Sequence, residues 1–316
     1  MATYGADPEF ACISSTSMKA DVIPPAALIE DHGLPFTVND NNKRVLYTSE
    51  YHGTVIEDGA AVELNVNPCS NLIAVRNSIQ NLLQEFTAYL RTKNLRFTIA
   101  KTPIGYFDVD KYWKGRGPSF HDCVRFGCDP DFFPEYYKEI GLEKENPHEI
   151  DVSKHNTRYF GGHIHIGSDA KFDMVFSPIV FDFCVGLLNA SIFRTDEQRK
   201  SELKRLEFYG HPGRGRIQPW GYEYRPPSNY WAYSTDAVVS KLQTAVDLAE
   251  TIVRRNLHRD FFFFAREYIP EMWNACVTLN SDRAKYLYSN VTFPFVAENG
   301  LVKLSQVKNV INIEYI

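Results

Sequence analysis

Apolar side chains recur every three to four residues along two long stretches of this chain. Leu72, Val75, Ile79, Leu82, Leu83, Phe86 and Leu90 share one face of a helix predicted over 69–93, which Pro68 precedes and Ser70 can cap. Val238, Val239, Leu242, Val246, Ala249, Ile252 and Val253 form the same stripe over 235–258, with Thr235 or Asp236 at its start. The stretch 172–193 is largely apolar but is interrupted by Asp173, Pro178 and Asp182. It predicts a buried helix rather than a membrane span. A short helix is predicted over 281–289. Segments 53–66, 95–101, 160–167 and 221–226 are rich in β-branched or aromatic residues between glycines and prolines, and predict strands. Segments 105–121 and 209–221, dense in Gly, Pro, Arg and Lys, predict loops. Helices and strands are interspersed without regular βαβ alternation. The pattern predicts an α+β fold with a largely antiparallel sheet, helices packed on one face, and a single domain over residues 1–316.

Four strand-like segments each carry two polar groups two residues apart: Asp7-Pro-Glu9, Glu63-Leu-Asn65, His163-Ile-His165 and Glu223-Tyr-Arg225. Strand side chains alternate, so i and i+2 share a face and the residue between them points the other way. Three of the four intervening residues are Leu, Ile or Tyr. One sheet face is therefore expected on a core, and the other lined by Asp, Glu, His, Asn and Arg. Taken singly, each pair has an ordinary reading. Asp-Pro-Glu is a turn with solvated acids, His-x-His is a packed pair, and Glu-x-Arg is a surface ion pair worth little. Glu63 differs because it sits among apolar neighbours, and a buried acid is costly unless paired or metal-bound. Gly161, Gly162 and Gly167 bracket the histidines and permit close approach of backbone or ligand. Pro8 has no N–H for a ladder, so the first strand is an edge or carries a bulge there.

Charge and cysteine content narrow the possibilities. The net charge is −5 over 316 residues, which argues against broad binding to nucleic acid. None of the six cysteines forms a C-x-x-C pair, and reduced thiols in a cytoplasm fit better than a disulfide framework. The first residues lack the basic and apolar regions of a signal peptide, so no membrane partner is expected. Gly5-Ala-Asp-Pro-Glu-Phe10 recurs as Gly127-Cys-Asp-Pro-Asp-Phe132, either as two similar turns or as two donors of carboxylates to one cleft.

The chemistry that unites these groups is phosphoryl transfer. Acid-rich oxygen ligands suit Mg2+ or Mn2+, and a histidine is admissible. Phosphates of ATP need such cations together with Arg or Lys. Neither G-x-x-x-x-G-K-[ST] nor G-x-G-x-x-G at a strand–helix junction is present. A nucleotide would then be held by metals and basic side chains, and the segment Arg205–Arg225, with Arg205, Arg214, Arg216 and Arg225, is suited to that.

The ordered set Gly-x-Asp7-Pro-Glu9-Phe, Asp58-Gly-Ala-Ala-Val-Glu63-Leu-Asn65, Arg158-Tyr-Phe-Gly-Gly-His163-Ile-His165-Ile-Gly167 and Tyr209-Gly…Arg216…Glu223-Tyr-Arg225-Pro…Asn229-Tyr-Trp231 resembles the phage-type carboxylate–amine ligases (amidoligases) of the glutamine synthetase and glutamate–cysteine ligase superfamily. The resemblance covers about residues 1–232. It implies a glutamine synthetase-like catalytic domain in which Asp7, Glu9, Glu63, His163 and Glu223 hold two or three divalent metals. His165 would face the phosphates. Arg225 and Arg216 would hold the transferred phosphoryl group and the substrate carboxylate, with Arg214 an alternative for the substrate role.

The implied reaction has a carboxylate attack the γ-phosphate of ATP to give an acyl phosphate and ADP. An amine or ammonia then displaces phosphate to form an amide. Small-molecule or peptide carboxylates and amines are the expected partners, and an oligomer is possible. Two rivals stand beside this reading. A metal-dependent hydrolase would use the His-x-His strand with Glu63 or Glu223. A non-catalytic phage morphogenesis protein would keep the fold without the chemistry. The ligase reading requires Asp7, Glu9, Glu63, His163 and Glu223 to converge in one cleft on one sheet face.

Overall fold

The computed structural model describes residues 2–14, 21–113, 116, 120, 135–142, 155–192 and 194–301. Its strands are β1 (Thr3–Ala6), β2 (Glu9–Ser14), β3 (Thr37–Val38), β4 (Arg44–Ser49), β5 (Gly53–Asp58), β6 (Ala61–Val66), β7 (Phe97–Ala100), β8 (Ile104–Tyr106), β9 (Thr157–Tyr159), β10 (Ile164–Gly167), β11 (Gly215–Gln218) and β12 (Gly221–Tyr224). They form a four-stranded sheet in the order β1-β10-β12-β11, a six-stranded sheet in the order β3-β4-β5-β6-β2-β7, and the pair β8-β9. Every pairing between these strands is antiparallel, so the fold is α+β.

The two larger sheets are joined by one continuous piece of chain. β1 belongs to the four-stranded sheet and β2 to the six-stranded one, and only Asp7 and Pro8 separate them. The expected single sheet is thus two sheets meeting at a corner. Pro8 lies at that corner, where its missing N–H costs nothing; its carbonyl accepts from Leu64 N at 3.0 Å. On the other side of the break, Glu9 N donates to Gly161 O at 2.9 Å.

Both predicted amphipathic helices form. The first runs Leu72–Thr92 and buries Leu72, Val75, Ile79, Leu82, Leu83, Phe86 and Leu90; its cap is Asn71 rather than Ser70, accepting from Ala74 N at 2.8 Å. The second runs Asp236–Arg254, capped by Thr235. Gln243 Oε1 accepts from Leu72 N at 2.6 Å and links the two helices at the first one's start. The segment 172–193 yields helix Ser177–Phe181, a π turn over Asp182–Gly186, and helix Leu187–Ser191. It backs the four-stranded sheet, with the Phe181 ring 4.9 Å from Tyr222 and 5.4 Å from Tyr224. No helix among the described residues is long and apolar enough to cross a membrane.

Several sequence expectations need correction. Segment 209–221 is not all loop, because β11 occupies Gly215–Gln218 and puts Arg216 in a strand. Segment 105–121 contains the helix Val109–Trp113. The helices His258–Ala265 and Ile269–Val277 went unread because aromatic runs obscure their periodicity. The repeat 127–132 lies outside the described residues.

The π turn carries a polar strut through the core. Asp182 is fully buried and accepts from Tyr137 Oη at 2.6 Å, Tyr224 Oη at 2.9 Å and Gly213 N at 2.7 Å. Burial pushes its carboxyl up to about 7, and the three donors only partly offset that. A group raised on folding contributes stability that is complete below its unfolded pKa of 3.8 and is lost as pH rises through about 7. At ~1.4 kcal/mol per unit this loss is at most roughly 4 kcal/mol. Denaturant melts of wild type and Asp182→Asn between pH 4 and 8 test this. The wild type is expected to lose stability relative to the variant across that window, and a pH-independent difference would refute the assignment.

Candidate metal and phosphate site

The four-stranded sheet sets one row of the site by register alone. Gly5, His165, Glu223 and Arg216 lie directly opposite one another across β1, β10, β12 and β11. Opposed residues in antiparallel strands share a face, so His165, Glu223 and Arg216 project together. Tyr222 and Tyr224 alternate to the other side, into the core. The six-stranded sheet supplies a second row. Glu9 stands opposite Glu63, and Asp58 opposite Ala61, in the β2-β6 and β5-β6 pairs. Ala61 and Glu63 are two apart, so Asp58, Glu63 and Glu9 also share a face.

These rows meet at the Asp7-Pro8 corner and give two groups of ligand-type atoms. Asp7, His165 and Glu223 form one, and Glu9, Asp58 and Glu63 the other, each with its atoms within 4.8 Å of one another. His163 belongs beside the first. Its Nδ1 is 3.0 Å from Asp7 Oδ1 and 3.5 Å from Glu223 Oε1, while His165 Nε2 is 3.2 Å from Asp7 Oδ1. The fold thus brings together all five residues expected to hold metal, at one corner between two sheets rather than on one flat sheet.

The electrostatics of the corner favour a cation. Burial pushes Glu63 well above the usual carboxylate range, and the neighbouring charges of Asp58 and Asp7 push further. Burial and Asp58 raise Glu9 in the same way. Burial opposes ionisation of Asp7 too, yet the two imidazoles hold its carboxyl well below the usual range. Burial disfavours charge on His165, but Asp7 lifts it above the ordinary imidazole value. At Glu223, burial is outweighed by Arg225, and the carboxyl is lowered. Asp7 Oδ1, His163 Nδ1 and His165 Nε2 are buried and lack a hydrogen bond of good geometry, although they crowd one another. Such buried atoms need a partner, and a divalent cation between them would be one. One group is all carboxylate, which suits Mg2+ or Mn2+, and the other mixes carboxylate with imidazole.

The basic residues divide. Arg225 is buried and donates to Glu223 Oε1 through Nη1, so this is a buried pair and not a surface one. Arg216 is half-buried and makes no ion pair among the described residues, which leaves its guanidinium available beside Glu223. Arg214 is half-buried, and its carbonyl accepts from Arg225 N at 3.3 Å. Arg205 corrects the expectation of a phosphate-facing residue. It is buried, and its terminal nitrogens donate to Pro226 O at 3.0 Å and Pro227 O at 3.4 Å, holding the turn after Arg225.

Other contributors were missed in the sequence. Asp58 precedes Gly59, whose φ of 56° places it at the first central position of a two-residue hairpin turn. A two-residue loop with Gly at its first central position fixes the register, and that register would have put Asp58 on the face of Glu63. Lys43 Nζ lies 2.9 Å from Asp58 Oδ1 and 3.6 Å from Glu63 Oε2. Gln218 Nε2 donates to Glu223 Oε2 at 2.9 Å. Trp220 lies over His165 with ring centroids 4.9 Å apart. Asn229 Nδ2 donates to the Glu9 and Thr102 carbonyls at 2.8 and 2.9 Å, pinning the second acid from behind.

Gly161 is the pivot of the corner. Its N–H donates to Glu9 Oε2 at 2.8 Å, and a Cβ built on it would lie 2.8 Å from His163 Nε2. Gly161→Ala is therefore expected to displace the His163 ring and weaken Mn2+ binding by roughly 10–100-fold, the usual range for altered ligand support. Calorimetric titration with Mn2+ checks this, and unchanged affinity would show that His163 is not a ligand. No protein-family model matches the chain and no curated protein matches its sequence, so these side chains carry the functional reading.

Proposed function

We propose that this protein is an ATP- and divalent metal-dependent carboxylate–amine ligase that forms an amide bond through an acyl phosphate. The supporting observation is the convergence of two ligand trios with Arg216 and Arg225 in one corner. The Glu9–Asp58–Glu63 and Asp7–His165–Glu223 trios, with His163, would hold Mg2+ or Mn2+, which would supply positive charge to offset that of the phosphates. Arg225, fixed by Glu223, presents a guanidinium to the γ-phosphoryl group. Arg216, adjacent in the same row, is suited to the substrate carboxylate. His165 lies on the phosphate side, its ring braced by Trp220. The carboxylate oxygen attacks phosphorus, the bond to ADP breaks, and an amine then displaces phosphate from the acyl carbon. The chain contributes positioning and charge stabilisation rather than a covalent nucleophile.

Phosphate release from ATP over a panel of carboxylates and amines tests the reaction. Turnover is expected to require Mg2+ or Mn2+ and to vanish with a chelator. Hydrolysis with Zn2+ alone and no need for ATP would establish the rival hydrolase.

Arg225 offers a sharper test. Loss of one preorganised charge-stabilising donor typically costs ~2.7–4 kcal/mol, about a hundred- to a thousand-fold in rate. Arg225→Lys keeps charge but loses the planar fork, and is expected to be impaired as well. Hydroxylamine trapping of the acyl phosphate in wild type, Arg225→Ala and Arg225→Lys reads the step directly, with thermal melts as the control for folding. Trapping at wild-type rates in both folded variants would exclude the role.

A further inference from the structure

Lys43 lies outside the ordered set of motifs, yet its ammonium sits against two of the three carboxylates of one trio. It stands at the end of the turn between β3 and β4, and the backbone of that turn is firmly built. Asn39 Oδ1 accepts from Asn41 N at 3.1 Å and Lys43 N at 2.9 Å, Asn39 N donates to Lys43 O at 3.1 Å, and Asn42 N donates to Asn39 O at 2.9 Å. Val45 pairs with Ile56, and that register carried outward sets Lys43 level with Asp58. The next residue, Arg44, pairs with Glu57 and fixes the strand laterally. The base of the lysine is thus rigid, while its side chain is 41% exposed and can swing into water.

We infer that the Lys43 ammonium is a displaceable counter-ion that holds the Glu9–Asp58–Glu63 trio until a divalent cation replaces it. This rests on the metal-binding reading above. Three crowded carboxylates, two of them buried, repel one another, and a nearby monovalent cation offsets part of that repulsion. An incoming metal must expel this ammonium before it gains the trio. The Asp7–His165–Glu223 trio has cations of its own, the two imidazoles against Asp7 and the Arg225 guanidinium on Glu223. Removing the Lys43 charge therefore bears on the Glu9–Asp58–Glu63 trio.

Calorimetric titration of the full chain with Mn2+ alone, without nucleotide, tests the inference. The wild type is expected to bind Mn2+. Lys43→Met keeps the stem and removes the charge, and is expected to tighten binding at one class of site by at least about tenfold. Lys43→Arg should stay near the wild type, and Lys43→Gln serves as a second neutral variant should the methionine form fold poorly. Unchanged or weakened Mn2+ binding in both neutral variants would overturn the inference while leaving metal binding intact. Absence of any Mn2+ binding by the wild type would overturn both the inference and the reading it rests on.

Discussion

Like-charge repulsion at the corner between the two sheets is the constraint on which the rest depends. Glu9 and Glu63 are buried and directly opposed in an antiparallel pair, with Asp58 and Asp7 beside them. Carboxylates so placed are destabilising. Much of the surrounding structure serves to tolerate them. Gly161 N–H donates to Glu9, the two histidines crowd Asp7, Arg225 and Gln218 meet Glu223, and Lys43 meets Asp58 and Glu63. A fold selected for stability alone would have no use for such an arrangement.

The back of the four-stranded sheet shows how that corner is held. Tyr224, between Glu223 and Arg225 in sequence, points into the core and donates to Asp182. Gly213, three residues before Arg216, donates to the same carboxylate. One buried acid in a π turn thus ties together the backbones that carry Arg216, Glu223 and Arg225. Arg205 does comparable work on the Pro226-Pro227 turn. The side chains in the corner and the polar groups behind the sheet belong to one support.

What the sequence revealed depended on how local the cause was. Helical stripes and i,i+2 pairs are set within a few residues, and the two long helices and the paired polar groups were legible for that reason. Asp7, Glu9, Glu63, His163 and Glu223 converge, but the period sets only a shared face within each pair, and the strand break at Pro8 sends Asp7 and Glu9 to different trios. Arg216 was misplaced in a loop because its strand is defined by its partner β12, not by its own composition. Lys43 was invisible because its position depends on the β4-β5 register, which contains a shift between Val45 and Tyr47. Arg205 looked like one more basic residue near a glycine-rich loop, and nothing local says that it turns inward. Asn71, not Ser70, caps the first helix because the helix starts at Leu72, the first residue of the apolar stripe, and the cap is the residue just before it.

The corner at Pro8 also acts as a gauge. Asp7 serves one trio and Glu9 the other, and two residues of extended chain span at most ~7 Å. The spacing between the trios is consequently written in covalent bonds and not in the packing of one sheet against another. Side chains in either core can be exchanged for others of similar volume without the backbones of Asp7 and Glu9 leaving that reach, so the interval between the two anionic centres is inherited from the chain itself.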